Sequence, residues 1–203
     1  MRRSKSSEKP PTVHTGLIDG PLAMWEKLVW DVDIFGDIQR SYPLERQPLA
    51  YAAINVCLAA SSLRNWVLTD QKTSAKSHGR SFSEAGFWAE THEAVPEQAM
   101  CEAIANTAKH SRHDETGWNG GEVRIEWDDG DEDVQPGWTL RYARGGSKEH
   151  VALVAFQALA NNWWHYLVKQ RYASGPSHTP RWLNNKLATI FGDGPLYVGR
   201  DAG

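Results

Sequence analysis

PLAYAAINVCLAASSLRNWVLTD, residues 48–70, is the longest apolar run of the chain, and its reading decides the fold. Leu49, Ala52, Ala53, Val56, Ala60, Leu63 and Val67 recur at spacings of three and four, which predicts a helix with a continuous apolar stripe. Ile54, Cys57, Leu58 and Ala59 carry apolar surface around most of the remaining circumference, and a helix apolar on most sides is a buried one. Its alanines let neighbouring helices approach closely. Asn55 stands inside the run and is expected to need a partner in a buried hydrogen-bond network. The run ends in a polar and aromatic group, Arg64, Asn65, Trp66 and Asp70.

Further helices are expected on either side. From Pro21, the residues Leu22, Trp25, Leu28, Val29, Val32 and Phe35 keep helical spacing, with Pro at the first helical position and Gly36 as an end or a kink. Residues 71–83 are polar and rich in serine, which predicts a loop; Ser83 is then a candidate N-cap for a short helix over 84–92. Val95-Pro96 breaks the chain before a helix over 97–113 that carries Met100, Ala103, Ile104 and Ala108 on one face. The period changes after Gly117. Val123, Ile125 and Trp127 alternate with polar residues, as do Trp138, Leu140 and Tyr142 beyond an acidic turn, which predicts a β-hairpin. A last long helix follows from Ser147, with Val151, Val154, Ala155, Ala158, Leu159, Asn162, Tyr166 and Lys169 on its stripe and Trp163 and Leu167 widening it, and residues 181–191 read as a final helical turn or two. The fold class is therefore mainly α: a helical bundle with one β-hairpin inserted before the last long helix. Residues 1–15 read as a disordered tail, and 16–203 as a single domain with its hairpin at about 120–144.

Composition narrows the function classes. With 22 basic and 25 acidic residues the formal net charge is −3, which argues against a surface built wholly for nucleic acid. Cys57 and Cys101 both fall inside apolar helical runs and are expected as buried free thiols of a reducing compartment. No segment offers the roughly 18 uninterrupted apolar residues of a membrane span. The basic start MRRSKSS has no apolar stretch behind it to make a secretory signal. A cytoplasmic protein without membrane attachment is expected.

Two polar groups could carry chemistry. Asn106, Lys109 and His110 stand at i, i+3 and i+4 and share a helix face, a combination suited to a phosphate or an RNA backbone, with His110 as acid or base near neutral pH. The plain alternative is a helix end whose cations meet the last carbonyls. Arg64 could hold an acidic partner, with Asp70 orienting a histidine. If the two helices bring their polar ends together, Arg64, Asn106, Lys109 and His110 make a catalytic set, and Asn55, Asn65, Trp66 and Asp70 a binding set. His110, His113 and Asp114 have the spacing of a metal site but lack further ligands nearby, so no metal and no cofactor is expected. RGGSKEH at 144–150 is too loose a pattern to assign. No phosphate-binding glycine loop, nucleophile elbow or Cys-x-x-Cys occurs.

AAINVCLAASSLRNWVLTD and IANTAKH resemble segments of uncharacterised bacterial and phage helical proteins, in which an Ala/Asn-rich helix precedes a helix ending Asn-x-x-Lys-His. The chain also loosely resembles the HEPN superfamily of helical bundles. That resemblance implies a homodimer that binds RNA or a protein partner, and a metal-independent ribonuclease of a toxin or defence system. The family motif, Arg-polar-x-x-x-His, places a histidine after an arginine and a polar residue; here Arg64-Asn65 is followed by Thr69 and Asp70 at that distance, so a ribonuclease would draw on His110 from another helix. The alternative is a non-enzymatic interaction or accessory protein, phage- or antitoxin-like, in which the same polar cluster is structural.

Overall fold

The computed structural model describes residues 17–110, 118–132, 135–144 and 149–176. The expected tail, the segment 181–191, His113 and Asp114, and residues 145–148 lie outside them. The described residues form five helices and a small sheet: α1 (Pro21–Ser41), α2 (Arg46–Ser77), α3 (Glu84–Ala94), α4 (Gln98–His110), β1 (Gly121–Asp128), β2 (Gly137–Arg144), β3 (His150–Val151) and α5 (Ala152–Lys169). This is the mainly helical fold, hairpin before the last helix, that the periodicities predict. Among the described residues, no helix is long and apolar enough to cross a membrane.

α2 is the organising element. All seven residues of its stripe, Leu49 to Val67, are buried, Val56, Ala60, Leu63 and Val67 fully so, and Cys57 beside the stripe is fully buried too. α1 packs along it as an antiparallel hairpin partner after the short turn at 42–45. α5 closes the other side of α1. The Trp25 indole N–H donates to the Ala160 carbonyl at 2.9 Å, its ring meets Trp164 at 4.5 Å, and Phe35 meets Phe156 edge-on at 5.0 Å. As α1 advances from Trp25 to Phe35 its partners on α5 recede from Ala160 to Phe156, so these two helices are antiparallel. Gly36 does not end α1: a Cβ there would stand 3.5 Å from Leu153, and the small residue lets the α5 start approach.

α4 lies against α2 in the opposite sense. Ile54 and Ile104 share a cavity wall, the Cys57 and Cys101 thiols meet, and the Ala60 carbonyl faces Gln98. Moving forward along α2 means moving backward along α4. Both cysteines are free and buried, as expected; the bond with Cys57 and then burial push the Cys101 thiol well above its usual range.

The hairpin is antiparallel in register, with Ile125 opposite Leu140 and Trp127 opposite Trp138. It is fastened at the α1–α2 turn, where the Trp138 amide donates to the Pro43 carbonyl at 2.8 Å and Gly137 lies so close to Pro43 that a Cβ would come within 2.6 Å.

Four local expectations are corrected. α2 does not stop near Asp70 but runs to Ser77, because 71–77 contains no helix breaker, Ala75 finds a buried site, and the first glycine arrives at 79. α5 begins at Ala152, since His150 and Val151 pair with Tyr142 and Arg141 as a third strand. Its buried face is wider than the expected stripe and shifted from it: Val154 is exposed, and Phe156, Ala160 and Trp164 are buried beside Ala155, Leu159, Trp163, Tyr166 and Leu167. Trp127 is exposed, its indole N–H donating to Asp129 beyond the strand end.

Candidate functional site

The sequence brings Arg64 to the end of the buried stripe of α2, one turn past Ala60. Long helical side chains lean toward the N-terminus of their helix. Leaning back, the Arg64 guanidinium enters the seam between α2, α3 and α4. Its Nη1 meets Glu102 Oε1 at 2.5 Å, with side-chain exposures of only 13% and 7% for the two residues. The guanidinium also lies over the Trp88 ring of α3, 4.0 Å from its centroid. Nη2 donates to Asn65 Oδ1 at 3.1 Å, while Nε is buried without a partner.

The chain of bonds continues inward. Gln98, fully buried one turn before Glu102 on α4, donates through Nε2 to Glu102 Oε1 at 2.9 Å and accepts at Oε1 from the indole N–H of Trp163 on α5, also at 2.9 Å. His92 Nε2 of α3 stands 3.5 Å from the same Glu102 oxygen. One residue along, Asn162 of α5 donates to Glu97 at 3.0 Å. Four helices thus meet on a single polar thread. Burial acts to raise the Glu102 pKa, but the His92 bond, the Arg64 charge and the Gln98 bond outweigh it and hold the carboxyl below its ordinary range. Glu102 is therefore an anion at neutral pH, and Arg64 is its counter-ion.

The predicted site residues divide around this thread. Arg64 is in it. Asn65 touches it from an exposed position, and Trp66 is about one third exposed on the outer side of α2. Asn55 is exposed and belongs to no buried network: it falls outside the stripe, on the side of α2 turned from α4. Among the described residues Asp70 orients no histidine; it accepts the Tyr172 hydroxyl at 2.7 Å, and burial and then this carboxylate raise the Tyr172 pKa. Lys109 and His110 are exposed at the end of α4, with Asn106 half-buried one turn before. The antiparallel packing of α2 and α4 carries that end toward the start of α2, away from Arg64. Glu102, the residue Arg64 holds, is itself about 12 Å of helix from His110. The helices do form a core pair, but within one chain their polar ends separate.

Reading the sequence for exposed polar ends misses Gln98, Glu102, His92, Trp88 and Trp163. A signal exists: Gln98, Cys101, Glu102 and Ala105 stand at i, i+3, i+4 and i+7, so the stripe holding the buried Cys101 also holds an amide and a carboxylate. Among the described residues, no group of three or more metal-ligating side chains could hold an ion. No protein-family model, curated protein or solved structure matches this chain.

Proposed function

We propose that this chain is a non-enzymatic helical interaction protein, in which the Arg64–Glu102 thread locks four helices together and recognition falls to the exposed residues outside it. The observation that carries this reading is the state of Arg64. It is nearly buried, ion-paired to Glu102 and stacked on Trp88, and it lies remote from His110. A ribonuclease of the HEPN kind needs an arginine and a histidine within hydrogen-bond reach of one phosphate. Here that would require Arg64 to leave Glu102 as a buried uncompensated charge and meet His110 of a second copy. Asn65 and Trp66 on α2, and Lys109 and His110 on α4, are the exposed residues offered to a partner.

The test is incubation of labelled single-stranded RNA with purified wild-type protein and with His110→Ala, with and without magnesium. Intact RNA in every arm is the expected result. Cleavage by the wild type that disappears in a folded His110→Ala protein overturns the reading and restores the ribonuclease.

A further inference from the structure

The C-terminal ends of α2 and α5 lie side by side and share an open pocket of about 640 Å³. Both helices stop with the same cap. At the end of α2, the Gly79 amide donates to the Lys76 carbonyl at 3.2 Å and the Arg80 amide to Ala75 at 2.9 Å, with Gly79 at φ +65°. At the end of α5, the Arg171 amide donates to Val168 at 3.0 Å and the Tyr172 amide to Leu167 at 2.9 Å. This pair of bonds requires a left-handed residue in the middle, a place that glycine fills without strain. In α5 it is filled by arginine, at φ +65°, the only non-glycine residue with positive φ among those described. A strained position held by a long cation rather than a glycine points to a use for the cation.

The charges around the pocket agree. Lys169 is ion-paired to Glu90 at 2.8 Å, and Asp70 accepts the Tyr172 hydroxyl. Arg80 and Arg171, both exposed on the pocket wall, have no ion pair or side-chain hydrogen bond among the described residues. A cation near a helix C-terminus has a plain use in facing the helix dipole, but α5 already carries Lys169 in its last turn, and glycine would cap the helix with less strain. Two guanidinium forks lining one pocket, without ion pairs among the described residues, suit a phosphate dianion, which brings up to twice a carboxylate's charge and more acceptor oxygens to share between them.

We infer that this pocket binds the phosphate group of a small phosphate ester between Arg80 and Arg171. Lys169 is largely offset by its Glu90 partner, and the Asp70 carboxylate lining the same pocket limits affinity. The pocket is separate from the Arg64 thread and does not rest on the non-enzymatic reading.

Calorimetric titration of the full chain at low salt, with inorganic phosphate, phenyl phosphate and acetate at matched ionic strength, tests it. Both phosphates are expected to bind one per chain, and acetate at least about tenfold more weakly. Arg80→Gln and Arg171→Gly should each lower phosphate affinity at least about tenfold, and Asp70→Asn should raise it. In phosphate-free buffer Arg171→Gly should also melt about 2–4 °C higher than wild type, because the strained residue is gone. No heat of phosphate binding at about 10 mM, equal binding of acetate, or affinity unchanged in both arginine variants would overturn the site.

Discussion

Replacing Arg64 by methionine keeps an unbranched apolar stem but removes the guanidinium, and with it the charge and the stacking on Trp88. The consequence follows from what Glu102 is left with. Its side chain is 7% exposed, so it cannot recover its hydration, but it retains the Gln98 amide at 2.9 Å and the His92 ring at 3.5 Å. Breaking one side of a buried pair costs about 3–5 kcal/mol, and the surviving donors place Arg64→Met near the lower end, about 3 kcal/mol. Glu102→Gln keeps an acceptor for Gln98 and leaves the guanidinium on Trp88 and Asn65, so about 2 kcal/mol is expected. The double variant removes both charges at once and should cost no more than either single change, giving a coupling of about 3 kcal/mol. The assay is urea denaturation of the four proteins at pH 7, read by tryptophan fluorescence. The pH dependence has a definite sign. In the wild type the depressed Glu102 pKa contributes stability above the ordinary glutamate range, lost as pH falls through the folded value. In Arg64→Met burial acts with less opposition, the folded pKa rises, and the deficit at pH 7 should shrink toward pH 4. A coupling below about 0.5 kcal/mol would refute the reasoning, because the pair would then behave as two independent surface charges.

Other consequences can be checked by the same denaturation assay. Ser83 Oγ accepts the Gly86 amide at 3.1 Å as the cap of α3, so Ser83→Ala should cost about 1 kcal/mol. Gly137→Ala would drive a methyl group into Pro43 and strain the Trp138–Pro43 bond that fastens the hairpin, at a cost of about 1–3 kcal/mol, with the helical circular dichroism preserved. Burial raises the pKa of Asp31 despite the Lys27 bond and charge, so the stability this group contributes is full below the ordinary aspartate range and lost as pH rises through the folded value. Asp31→Asn should therefore be at least as stable as wild type at pH 7, and any advantage should vanish near pH 3; a clear loss at pH 7 would mean that the Lys27–Asp31 pair outweighs burial.

The features legible in the sequence are those set by periodicity or by a local start signal. The α2 stripe and the existence of the hairpin follow from the spacing of apolar residues, and the start of α1 from Gly20-Pro21. Polarity alone misplaced the end of α2: residues 71–77 are hydrophilic yet helix-compatible, and only Gly79 supplies a left-handed stop. The start of α5 depends on His150 and Val151 finding an edge of β2, a tertiary event that no local signal encodes. The candidate site was half legible. Arg64 calls for an acid, but its partner sits on another helix in an antiparallel register, and no single sequence reveals the sense in which two apolar faces meet. Asn55 shows the converse error, since an amide inside an apolar run need not share its buried face.

The central claim is that Arg64 is committed to Glu102 inside the fold. The most direct measurement is the titration of the Glu102 carboxyl carbon, followed by NMR in wild type and in Arg64→Met. The account predicts a wild-type midpoint below the ordinary glutamate range and a raised midpoint in the variant. A wild-type midpoint within or above that range, unmoved by loss of the arginine, would contradict it.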